Sequence, residues 1–183
     1  MSRLARGGRD VQQFLIVDGY NMIFGWTELK QIAKENLEFA RDKLVEMFAD
    51  YQGYTSEQII IVFDAYNVKG NQGQVIAYNK NVDIIYTKEK ETADQYIEKT
   101  AKAMEKKYMV RVATSDVVEQ VIILSTGATR VSSDKMLEEI KTIGKNFDKY
   151  KSTSQHIKSN PLENWMSSEM IETMEKLRRG IVD

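Results

Sequence analysis

Four consecutive apolar residues, Phe14-Leu15-Ile16-Val17, run directly into Asp18-Gly19-Tyr20-Asn21. No polar residue interrupts the run, so a strand formed here must be covered on both faces, the condition of a parallel sheet held between layers of helices. Asp18 then falls at the carboxyl end of that strand, where open α/β sheets place their ligands. A carboxylate fixed at such an edge demands a metal, a cationic partner or a proton.

The same pattern recurs along the chain. Apolar runs at 59–63, 82–86 and 109–113, and a weaker one at 129–131, read as further strands. Between the first two strands the spacing predicts one helix over about residues 28–51, with Leu29, Ile32, Ala33, Leu37, Ala40, Leu44, Phe48 and Tyr51 on one face. A second helix is expected over about 92–107, with Ala93, Ile97, Ala101 and Met104 inward, and a loop over 67–79. A short helix from Asp116 to about residue 124 is stopped by Gly127, and Ser132-Ser133-Asp134 caps another running to about 150. Asn160-Pro161 and Gly180 frame a last helix over about 161–179. Strands alternating with helices imply right-handed crossovers, so the expected fold class is α/β, a mostly parallel central sheet flanked by helices in three layers. Residues 1–12, with Arg3, Arg6 and Arg9, show no periodicity and read as a flexible basic arm or an added remnant, leaving 13–183 as one domain.

Composition narrows the chemistry. The absence of cysteine removes thiol nucleophiles, disulfides and thiolate zinc sites, and the single histidine, His156, removes a histidine-rich metal site. Catalysis must rest on carboxylates, hydroxyls, amides and cations. No apolar stretch approaches the roughly 20 residues of a membrane helix, and a cytoplasmic location is expected. A net charge of −1 means that any polyanion must be met by a local basic patch.

Carboxylates close the other strands too: Asp64 follows the second, Glu89, Glu91 and Asp94 follow the third, and Asp116 follows the fourth. Any one of them alone is explained as a turn former or helix cap. In a parallel sheet, however, strand ends share one edge, so Asp18, Asp64, Asp94 and Asp116 converge on one cleft. Crowded like charges raise one another's pKa unless positive charge lies between them. Mg²⁺ suits such an oxygen donor set, and Mn²⁺ accepts the same ligands. Gly19 allows positive φ or close approach of a ligand, and Asn21 either orients Asp18 or ligand, or caps the turn.

The segments Val17-Asp18-Gly19-Tyr20-Asn21, Val62-Phe63-Asp64-Ala65, Glu91-Thr92-Ala93-Asp94 and Thr114-Ser115-Asp116 together resemble the NYN domains, a branch of the PIN-like nucleases, and within them the YacP group. The resemblance spans about residues 14–180 and implies a PIN-like fold with metal-dependent hydrolysis of RNA. For this group it further implies an endonuclease that enters the ribosomal A site and cuts mRNA during translation. Asp18 and Asp94 match the family's central catalytic acids, Asp64 and Asp116 the supporting acids of the metal site, and Asn21 the amide of the name-giving motif. Candidate RNA contacts are Lys69, Asn71, Lys88 and Arg130, with a basic tract through Lys141, Lys145, Lys149, Lys151 and Lys158 that reads either as a solvated face or as a ribosome contact. Trp26 and Trp165 are expected in core packing. A haloacid dehalogenase phosphatase is disfavoured because Tyr20 stands where its second acid is needed, and a dinucleotide site because Gly19 stands alone. The remaining alternative is an RNA- or ribosome-binding adaptor without turnover.

Overall fold

The computed structural model describes residues 12–65, 69–116 and 125–154, with side chains as far as 145. The chain divides into two compact units, Met1–Gly144 and Lys145–Asp183. The sheet and every candidate site residue belong to the first. All but the first residue of the helix expected from Asp116 to about 124, the one over 161–179 and the side chains of Lys149, Lys151, His156, Lys158 and Trp165 lie outside the described residues.

Six strands form one sheet in the order β3-β4-β2-β1-β5-β6: β1 (Gln13–Asp18), β2 (Gln58–Phe63), β3 (Gln74–Asn79), β4 (Val82–Tyr86), β5 (Met109–Ala113) and β6 (Thr129–Val131). Every pairing is parallel except β3 with β4. The Phe14–Val17 run is thus a central strand, and Leu15, Ile16 and Val17 are wholly buried. Among the described residues five helices accompany the sheet: α1 (Gly19–Gly25), α2 (Thr27–Glu35), α3 (Leu37–Gln52), α4 (Ala93–Met104) and α5 (Ser133–Ser154).

Alternation along the strands splits the core in two. Leu15, Val17, Ile59, Ile61 and Phe63 face α1 to α3, where Met22, Leu44 and Phe48 pack and Trp26 stacks on Phe48 at 6.0 Å. Ile16, Val62, Ile85 and Val112 face α4 and its Ala93, Ile97 and Ala101. Three layers follow from this two-sided burial. Trp26 is core, as its sequence context predicts, and its indole Nε1 donates to the Ser133 carbonyl at 3.1 Å.

At the amino ends of the strands the fold is pinned by charge. The Arg111 guanidinium donates to Glu57 at 3.1 Å and to both oxygens of Glu139 at 3.0 and 2.9 Å, while the Tyr51 hydroxyl lies 3.2 Å from each acid. Burial pushes the Tyr51 phenol up to about 12, so it remains a neutral donor. Removing one partner would strand a buried charge, which is why such a cluster specifies packing.

Two expectations are corrected. The single helix over 28–51 is two helices, because Asn36 adopts an extended conformation (φ −152°) and its side chain accepts from Phe39 N at 3.0 Å, capping α3. The loop over 67–79 contains β3, an edge strand whose six residues are all exposed. It joins β4 through a turn in which Asn81 N donates to Asn79 Oδ1 at 2.8 Å.

Candidate active site

Parallel pairing brings the carboxyl ends of β1, β2 and β5 side by side, with Asp18 in register with Val62, two residues before Asp64. Asp18 caps α1: its Oδ1 accepts from Asn21 N at 3.1 Å. The capping role and the site role therefore coexist in one side chain. At 8% exposure the carboxylate is buried, and its pKa is raised to about 6. Desolvation contributes most; the Asn21 amide opposes it, and the charges of Asp94, Asp116 and Asp64 add to the rise. Asp94 lies in the first turn of α4, behind a capping box formed by Thr92 and Gln95. Its pKa is also raised, by partial desolvation and then by Asp116 and Asp64. Asp64, Asp94 and Asp116, drawn from three other segments of the chain, thus lie within electrostatic reach of Asp18, and Asp64 and Asp116 within reach of Asp94.

The neighbouring loops hold these acids in place. Asn21 Oδ1 accepts from Ser115 N at 2.7 Å, so the amide fixes the segment carrying Asp116 instead of bonding Asp18 through its side chain. Ser115 Oγ in turn accepts from Ser133 N at 2.9 Å, and Thr114 N bonds the Val131 carbonyl at 3.0 Å. On the other side, buried Thr87 accepts from Ala65 N at 2.9 Å and steadies the turn that carries Asp64. The supporting role of Thr87 has no counterpart among the motif residues, whereas Ser115 lies within the Thr114-Ser115-Asp116 motif. Thr87 carried a legible signal, since it follows its strand as Asp64 follows β2.

Gly19 meets a packing constraint, and the positive φ that its sequence context allows is not adopted. A Cβ there would lie 2.4 Å from the Phe63 ring. The glycine makes room for Phe63, which closes the core beneath the acids.

Of the predicted RNA contacts, Lys69 and Lys88 are exposed in the loops beyond β2 and β4. Asn71 is committed within those loops: Nδ2 donates to the Thr87 carbonyl at 2.9 Å and Oδ1 accepts from Gly73 N at 2.9 Å. Arg130 sits on edge strand β6 and opens onto a groove with Arg111, Ser132, Lys135 and Glu139 that includes none of the four acids. Lys141 and Lys145 are exposed.

The donor set suits a hard divalent cation. It consists of oxygens alone, and the charges of Asp94, Asp116 and Asp64, which add to the mainly desolvation-driven rise of the Asp18 pKa, are of the sign that a cation would offset. Among the described residues no three acidic or histidine side chains form a ready cage. Mg²⁺ is compatible with that arrangement, because it is held by one or two carboxylates and keeps several waters.

A mostly parallel α/β sheet with an acidic carboxyl edge is the frame of a nuclease-like domain, and the chain belongs to the YacP-like NYN domain family, whose model matches residues 15–179. It is 42% identical over 172 residues to uncharacterized protein YacP of Bacillus subtilis (strain 168), covering 92% of this chain and 98% of that protein. It is also similar to two crystal structures of Rae1 (YacP) from Bacillus subtilis. One, a tryptophan-to-leucine mutant, gives a TM-score of 0.69 at 39% identity over 92% of this chain and 96% of that one. The other gives 0.64 at 41% identity over 91% and 95%. Among the described residues no helix is long and apolar enough to cross a membrane.

Proposed function

We propose that this protein is a divalent-cation-dependent endoribonuclease that hydrolyses phosphodiester bonds of mRNA, working on the ribosome at the A site during translation. The observation that carries the reading is the electrostatic coupling of Asp18 to Asp64, Asp94 and Asp116 at one sheet edge. Membership of a nuclease-like family and the motif resemblance supply the substrate class.

Asp18 and Asp94 would hold Mg²⁺, or Mn²⁺, with Asp64 and Asp116 in support. Such an ion would supply positive charge to offset that of the phosphate and would lower the pKa of water. The protein's own part is positional. Asn21 locks the Ser115 backbone and with it Asp116, while Thr87 fixes the turn after β2 and with it Asp64. Asp18, tied to the first turn of α1, is held in one orientation against the repulsion of its neighbours. Among the described residues no histidine is present to act as general base. A metal-bound hydroxide, or a spare carboxylate such as the exposed Asp116, would have to serve as the base.

Labelled mRNA incubated with the protein in Mg²⁺, with and without translating ribosomes and then with EDTA, tests this. Discrete cuts that EDTA abolishes are expected, and stimulation by ribosomes supports action at the A site. Binding to RNA or ribosomes without cleavage under every condition favours the adaptor.

A further inference from the structure

Arg41 is a half-buried cation that the catalytic account leaves unused. It projects from α3, donates from NH1 to the Tyr20 hydroxyl at 3.0 Å and lies 5.9 Å from the centre of the Tyr86 ring. Burial works against its charge, and the Tyr20 hydroxyl restores it, so the guanidinium stays fully ionised. Among the described residues no carboxylate lies within ion-pair distance of it. A guanidinium has five donors in a fixed fork, and one suffices for Tyr20.

Its contacts with Tyr20 and Tyr86 place it at the same carboxyl edge of the sheet as the acids. Tyr86 ends β4 and is in register with Phe63, whose neighbour is Asp64; Tyr20 stands two residues after Asp18. Tyr20, Phe63 and Tyr86 form a continuous ring contact, with centroids 5.3 and 5.5 Å apart, and half-exposed Phe24 extends it outward at 6.1 Å. A pre-oriented guanidinium beside an exposed ring is the pairing by which single-stranded nucleic acid is held, phosphate on the cation and base on the ring face. Salt bridging and simple hydration of a surface arginine require neither the tyrosine bond nor the ring ladder.

We propose that Arg41, oriented by Tyr20 and Tyr86, binds a backbone phosphate of the RNA strand flanking the cleavage site. The inference rests on the nuclease reading of the acid edge. It makes Arg41 a binding residue and Tyr20 a positioning residue.

The test is the salt dependence of binding of a fluorescent single-stranded RNA to the full chain carrying Asp18→Asn, with Arg41→Gln, Arg41→Lys or Tyr20→Phe added. Loss of one phosphate contact makes the slope of log affinity against log salt shallower by about 0.7. Arg41→Gln is expected to show that change with about tenfold weaker binding at 0.1 M salt, on the order of one lost charged hydrogen bond. Arg41→Lys keeps the slope and regains part of the affinity. In the cleavage-competent chain, Tyr20→Phe raises KM several-fold with kcat unchanged, and it carries the test with Arg41→Lys should Arg41→Gln fail to fold. An unchanged slope in folded Arg41→Gln, or Arg41→Lys and Tyr20→Phe both indistinguishable from the parent, overturns the assignment. If the unsubstituted chain cuts RNA in the same assay, that failure is confined to Arg41. A chain that neither binds this RNA nor cuts mRNA with or without translating ribosomes overturns the nuclease reading and this inference with it.

Discussion

Burial and neighbouring charge lift Asp18 to about 6 from 3.8, and the sign of the consequence is fixed by that direction. The folded state binds the proton more tightly than the unfolded chain, so this group's contribution to stability is full below 3.8 and is lost as pH rises through about 6. The loss amounts to about 3 kcal/mol, at roughly 1.4 kcal/mol per pKa unit. Asn preserves the cap, being as good an N-cap as Asp. Asp18→Asn is therefore expected to be more stable than the parent in EDTA at pH 8, by urea unfolding, with the advantage vanishing near pH 3.5. Equal stability at both pH values would mean that the carboxylate is not under strain. Gly19 shows what residue identity alone conceals. Its position after an acid reads as a residue with positive φ or as a ligand passage, and only the clash that an added Cβ would make with the Phe63 ring reveals a packing constraint. Gly19→Ala should cost about 1–3 kcal/mol from overpacking, and Phe63→Leu should recover part of it. Additive losses in the double variant would contradict this.

Elements were legible where burial imposed a pattern. β1, β2, β4 and β5 coincide with apolar runs because each has both faces covered. β3 escaped because it buries neither face: Val75 and Tyr78 are among the exposed apolar residues, and its pairing is held by backbone hydrogen bonds along one edge. The break between α2 and α3 escaped for a different reason. The apolar spacing continues through Asn36, so periodicity gives no sign of it, and only a cap residue marks the boundary. Asn36→Ala should lower stability by about 1 kcal/mol without altering cleavage. A change in cleavage rate at equal folded fraction would assign the break a part in catalysis.

At the scale of the whole molecule, topology does the gathering. Asp18, Asp64, Asp94 and Asp116 are far apart in the chain and meet because parallel strands deliver their carboxyl ends to one edge, a consequence readable from the alternation of strands and helices. Arg41 was not readable in that way. It comes from a helix, and its orientation depends on Tyr20 and Tyr86, contacts that no local pattern encodes. The two ends of the sheet therefore differ in charge arrangement, with the paired Arg111 cluster at one and the acids at the other. That the acid edge is the hydrolytic centre is tested most directly by single-turnover cleavage of labelled mRNA in Mg²⁺ by Asp18→Asn and Asp94→Asn, each verified as folded. Both variants should lose cleavage by at least about a hundredfold, the scale of several kcal/mol of lost charge stabilisation. Parent-like cleavage in both would contradict the assignment.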